Sequence, residues 1–171
     1  AISVLSDSNG EFVQPGVPND VLDVTSTLSG LWVSVTNFAG ANSVATTGHD
    51  FSTGPLSLTH NPDAQALLTA QVNTFVRVTS THNFLRELFG ENEFLEIDYQ
   101  LSAVVNKLGE CQAYFDPANQ EIIFFQPTQG CTNSAFSTVI AHEYGHFVVN
   151  RRGLAQEAFG EGYGDSLAIL Q

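Results

Sequence analysis

The sequence predicts an α+β fold. Three observations carry that reading: a first third made of turn residues and β-formers with almost no helical period, a helical periodicity running from residue 62 to about 89, and a later apolar helix, Val139 to Val149, that holds His142 and His146. A chain of 171 residues fits one domain, or one domain with an appendage. Its hydrophobic fraction of 43%, with 13 Phe, supports a real core and excludes a disordered chain. No apolar run approaches the roughly 18 residues that a membrane span requires, so no membrane partner is expected. A formal charge of -13 repels phosphate backbones, and no nucleic-acid partner is expected either.

Residues 1–60 read as a β-rich N-terminal segment, either an accessory sheet or the outer strands of the main one. Asp7 to Phe12 is a turn leading into a strand, since Asn9-Gly10 supports positive φ. Its D-x-N-G order resembles a calcium loop but lacks the downstream Glu, so a plain hairpin is expected. Pro15 to Asp20 is a loop. Leu31 to Thr36 is a strand with Trp32 in the core, and Gly40 to Ser43 and Ser52 to Pro55 are turns. Residues 61–171 form the second unit. Asn61 suits an N-cap, Pro62 the first helical position and Asp63 the positive helix end. The helix then carries Leu67, Leu68, Val72, Phe75, Val76, Thr79, Phe84, Leu85 and Leu88 at spacings of three and four, and Gly90 ends it. His82 lies on it as a packing residue, while His49 and His60 fall in turn regions.

Phe94 to Tyr99 alternates like a strand, and Ser102 to Asn106 suggests another. Cys111 to Phe115 and Glu121 to Phe125 are β-rich runs around the turn Asp116-Pro117-Ala118-Asn119. Asp116, Asn119 and Glu121 are better read as a satisfied turn than as calcium ligands. Cys111 and Cys131, 20 residues apart, flank this hairpin. A disulfide across its base implies an oxidising compartment; two buried thiols are the alternative.

The active stretch follows, with Thr132 or Asn133 as the cap of its helix. Phe136, Val139, Ile140, Phe147 and Val148 are its apolar anchors, Arg151 and Arg152 favour its negative end, and Gly153 stops it. Within it, His142-Glu143-Tyr144-Gly145-His146 has the form H-E-x-x-H. Residues four apart on a helix share one face, so both imidazoles can grip one metal ion. Glu143 stands beside that line, where its carboxylate can take a proton from a metal-activated water. A catalytic zinc site needs three protein ligands. No His or Cys follows His146, and Arg152 occupies the place of the third histidine in H-E-x-x-H-x-x-G-x-x-H. The remaining donors are Glu157, Glu161 and Asp165, spaced by four along one helix face.

The pair His142-Glu143-Tyr144-Gly145-His146 and Gly160-Glu161-Gly162-Tyr163-Gly164-Asp165 resembles the gluzincin metalloproteases, most closely the fungalysin type and more distantly thermolysin. The resemblance covers about residues 62–171. It implies a zincin-like N-terminal subdomain: a mixed sheet with an antiparallel edge strand, a long helix and the active-site helix. It implies Zn²⁺ held by His142, His146 and Glu161, with Asp165 orienting His142 and Glu157 as the rival ligand. It further implies that the strand holding Gln112, Ala113 and Tyr114 lines the cleft and pairs with an extended peptide or protein substrate. Two departures stand out. Only 14 residues lie between His146 and Glu161, fewer than in typical relatives. The family's helical C-terminal subdomain, which supplies an oxyanion donor, has no counterpart here. Together with a first residue other than Met, this suggests a fragment whose cleft a C-terminal subdomain or a second chain completes. The expected function is a secreted zinc endopeptidase with Glu143 as general base. The alternative is an incomplete zinc-binding or structural module, and an aminopeptidase ranks last.

Overall fold

A computed structural model describes residues 2–7, 10–13, 21–90, 93, 95–109 and 111–171. The first strands are β1 (Val21–Thr27), β2 (Val33–Asn37) and β3 (Val44–Asp50). Strands β1 and β3 pair antiparallel, from Val21 opposite Asp50 to Thr27 opposite Val44, as a two-stranded ribbon. Strand β2 leaves them and joins the main sheet. The N-terminal segment therefore supplies both an accessory ribbon and an outer strand.

The main sheet is completed by β4 (Leu101–Lys107), β5 (Ala113–Asp116) and β6 (Glu121–Phe125), in the order β2-β4-β6-β5. Strands β2, β4 and β6 run parallel, and β5 lies antiparallel to β6 at the edge. A parallel pair needs a long crossover. Between β2 and β4 it is provided by α1 (Ala66–Phe89). The sheet is thus mixed with an antiparallel edge, in an α+β fold. Helices α2 (Ser137–Arg151) and α3 (Glu157–Leu170) complete the chain.

One hydrophobic core joins these elements. The sheet supplies Val33, Val35, Leu101, Ala103, Val105, Ile122 and Phe124, and the helices supply Val78, Leu85, Ile140, Tyr144, Phe147, Val148 and Leu167. A polar seam fixes one end of the sheet. Buried Asn106, at φ 59°, donates to Asn37 Oδ1 and to the Leu67 carbonyl, each at 2.9 Å, and accepts from Asn133 Nδ2 at 2.9 Å. The Cys111–Cys131 disulfide is present, with Cα atoms 5.5 Å apart.

Several local expectations are corrected. Gly10 N–H donates to the Asp7 carbonyl, yet residues 11–13 form no strand. Ser8, Asn9 and the Pro15 to Asp20 loop lie outside the described residues. Helix α1 begins at Ala66, not Pro62, because Ala64 takes φ 50° and breaks the helical path. Asn61 Oδ1 still accepts the Gln65 N–H, at 2.9 Å. The buried row of α1 is Ala70, Gln71, Thr74, Val78, Thr81, His82 and Leu85, so the expected apolar stripe is rotated: Val76 and Leu88 are exposed. Leu95–Ile97 is a 3₁₀ turn rather than a strand, with Ile97 alone buried; Phe94 lies outside the described residues. Helix α2 starts after Phe136, which is half exposed, and Asn133 instead accepts the Ala135 N–H at 2.9 Å in the approach to it. Among the described residues no helix is long and apolar enough to cross a membrane.

Candidate metal centre

The site is built by α2 and α3 packing through glycine. A Cβ on Gly145 would lie 2.7 Å from Gly164 Cα, and a Cβ on Gly164 would lie 2.9 Å from both His142 Nδ1 and the His142 carbonyl. Side chains at these two positions would wedge the helices apart. Their absence lets the second helix bring its acids onto the imidazoles of the first.

Three side chains converge. His142, His146 and Glu161 each direct one donor atom inward, all within 4.8 Å of one another. The two Nε2 atoms are 3.1 Å apart, and Glu161 reaches His142 Nε2 at 3.3 Å and His146 Nε2 at 3.5 Å. Behind His142, Asp165 Oδ1 lies 3.0 Å from Nδ1 and accepts its proton, which turns Nε2 toward the cluster. A pair of imidazoles and a carboxylate is a donor set that suits zinc. Glu157, the rival ligand, is not in the cluster: it opens α3 at φ 29°, one turn before Glu161.

Glu143, beside His142 on α2, is buried at 6% exposure. Burial pushes its carboxyl up to about 7; Glu161 adds to the rise, while His146 and the Phe115 backbone N–H oppose it. A carboxyl held near neutrality is poised for proton exchange. It lines a cleft with Ala113, Tyr114, Phe115 and Pro117 on one wall and His142, His146, Gln156 and Glu161 on the other. The cleft thus runs from β5 to the site. Ala113 and Tyr114 belong to β5, whose outer edge pairs with no strand among the described residues, and Gln112 lies just before it.

Other candidates resolve as structure. Buried His82 stacks on Trp32 with ring centroids 3.8 Å apart and bonds to Asp98 at 3.0 Å. His60 bridges Ser26 and Ser43, each at 2.9 Å, and His49 Nε2 lies 2.9 Å from the Gly54 carbonyl. Asp116 caps its own turn through Ala118 and Asn119, and Glu121 accepts from Ser102.

Sequence reasoning missed Gln156. Its Oε1 lies 2.9 Å from His146 Nδ1 and its Nε2 donates to the His146 carbonyl at 3.0 Å. The signal present in the sequence was the glycine pair Gly160 and Gly164, four apart. A Cβ on Gly160 would lie 2.8 Å from Gln156 Oε1 and 3.0 Å from His146 Nδ1, so each glycine makes room for one histidine and its partner.

No family model matches the chain, and no curated protein matches it. What the site can do is therefore set by its own geometry.

Proposed function

We propose that this protein is a zinc-dependent endopeptidase in which His142, His146 and Glu161 hold the metal and Glu143 is the general base. The observation that supports this best is the convergence of two imidazole nitrogens and a carboxylate at 3.1 to 3.5 Å. Donors brought so close repel one another unless a proton or a metal ion lies between them, and a metal ion can be shared by all three. Zinc, when bound, lowers the pKa of a water and polarises a carbonyl. Glu143 takes the proton of the attacking water on its carboxylate and returns it to the leaving amine. Asp165 holds the His142 ring by its Nδ1 proton. The outer edge of β5, paired with no strand among the described residues, lets an extended peptide lie beside Glu143 as an added strand. The Cys111–Cys131 disulfide supports secretion into an oxidising compartment.

A second reading, a zinc-binding module without hydrolysis, is favoured by the openness of the cluster: the Glu161 and Asp165 side chains are 65% and 73% exposed. A catalytic zinc works best in a dry, shaped cavity. Metal content, paired with cleavage of a quenched protein substrate before and after chelation, separates the two. Endopeptidase action requires about one zinc per chain and chelator-sensitive cleavage. Zinc without cleavage selects the binding module, and no zinc after reconstitution removes both. Glu143→Gln is expected to keep zinc and lower turnover roughly 10²–10⁴-fold; a variant with near-normal turnover would show that Glu143 is not the base.

A further inference from the structure

We infer that Gln156 is the positioning residue for His146, fixing the ring with a proton on Nδ1 so that Nε2 is the nitrogen turned toward the cluster. The inference deepens the zinc reading above and rests on it for the ligand role of Nε2. The assignment comes from closing off the alternatives. The His146 carbonyl can only accept, so the Gln156 group 3.0 Å away must be the amide nitrogen. The amide oxygen then necessarily faces Nδ1 at 2.9 Å, and it too can only accept. The proton in that contact therefore belongs to His146 Nδ1. Turning the amide over would set two oxygens against each other at the carbonyl. Moving the ring proton to Nε2 would set the Oε1 and Nδ1 lone pairs against each other.

One side chain thus grips His146 at both its backbone and its ring. The turn before α3, in which Glu157 takes φ 29°, sets Gln156 against His146 of α2. Gly160 leaves the contact its space, since a Cβ there would meet both Gln156 Oε1 and His146 Nδ1 within 3.0 Å.

The two histidines are consequently backed by different charges. His142 donates to a carboxylate and His146 to a neutral amide. A carboxylate partner raises ligand basicity more than a neutral one, so His142 becomes the stronger donor of the pair.

The test uses ¹⁵N-labelled full chain, freed of metal, at pH 8. Two-bond correlations report which ring nitrogen of His146 carries the proton. The expected form is Nδ1–H, the minority form of free neutral histidine. Gln156→Glu keeps an acceptor for Nδ1 but cannot donate to the His146 carbonyl; Gln156→Leu loses both. If Gln156 acts on the ring, the Glu variant keeps Nδ1–H and wild-type zinc affinity within a few-fold. The Leu variant moves the proton to Nε2 and weakens zinc roughly 10–100-fold, read by chelator competition. If Gln156 merely ties the backbone, both variants change alike, and the inference is overturned; Nε2–H in the wild type overturns it directly. A wild-type ring with Nδ1–H in a protein that takes up no zinc would sustain the hold of Gln156 and remove the proposed function instead.

Discussion

Helix α2 has two faces built on opposite plans. Toward α1 and the sheet it presents Ile140, Tyr144, Phe147 and Val148, each at most 1% exposed, in one continuous core. Toward α3 it presents His142, Gly145 and His146, where the neighbour comes so close that a methyl group has no place. On the first face volume supplies stability. On the second the removal of volume supplies the site, because only bare backbone lets Glu161 and Asp165 reach the imidazoles. Glycine inside a helix costs about 0.5–1 kcal/mol relative to Ala. Gly145, Gly160, Gly162 and Gly164 all lie within α2 and α3, so the site face gives up stability that the core face must supply.

The largest expected effect is on the core face. Phe147 is fully buried, with its ring 5.2 Å from Tyr144 and 6.1 Å from Phe115. Phe147→Ala should cost about 3–5 kcal/mol in urea unfolding. Under conditions where the variant is folded, its zinc affinity should stay within a few-fold of the wild type. A loss of affinity as large as the loss of stability would mean that the two faces are not separable.

The converse test is Gly145→Ala. Overpacking against the α3 backbone should cost about 1–3 kcal/mol, with zinc affinity falling more than about tenfold because the helices part at the ligands. Gly48→Ala in β3 is the control, for its Cβ would meet Asp23 Oδ1 at an ordinary 3.7 Å. That variant should lie within about 0.5 kcal/mol of the wild type. Equal penalties at the two glycines would show that close helix approach is not what Gly145 provides.

The same contrast explains what was legible in the sequence. Ligand residues are spaced by helical geometry, so their spacing alone puts His142 with His146, and Glu161 with Asp165, on shared faces. The strands Leu101–Lys107 and Glu121–Phe125 were legible because apolar β-formers run through them between turn residues. Gln156 was not, because it stands before α3 in a turn whose path is set by a positive φ at a non-glycine residue, and no periodicity reaches it. The start of α1 was misplaced for the same reason: Asn61 and Pro62 carry good start signals, but Ala64 turns the chain the other way. Leu95–Ile97 misled through alternation over too few residues, in a segment where only Ile97 is buried. The buried row of α1 was misread because Gln71, Thr74, Thr81 and His82 look polar. Gln71 is satisfied in place, accepting the Ser43 N–H at 2.7 Å.

A pH-dependent test probes the buried interior through His82, on α1. Burial holds the His82 ring below its ordinary pKa of 6.5, with the Asp98 hydrogen bond opposing and the charge of Arg86 adding to the fall. The folded state thus binds the proton less well than the unfolded chain. Stability from the neutral ring is fully present above about pH 6.5 and is lost as pH falls below it, by at most about 1.4 kcal/mol per pH unit. Glu143, raised to about 7, has the opposite sign: its contribution is present below its ordinary 4.5 and is lost as pH rises. That background is common to wild type and His82→Phe and cancels in their difference. The Phe ring keeps the stacking on Trp32 but loses the bond to Asp98, so the variant should be less stable at pH 8 by about 1–3 kcal/mol. The gap should narrow as pH falls from 6.5 toward 5, because only the wild type takes up a proton at this site on unfolding. Trp32, the single tryptophan, reports both curves by fluorescence. A gap that stays constant with pH would show that the buried ring is not held neutral.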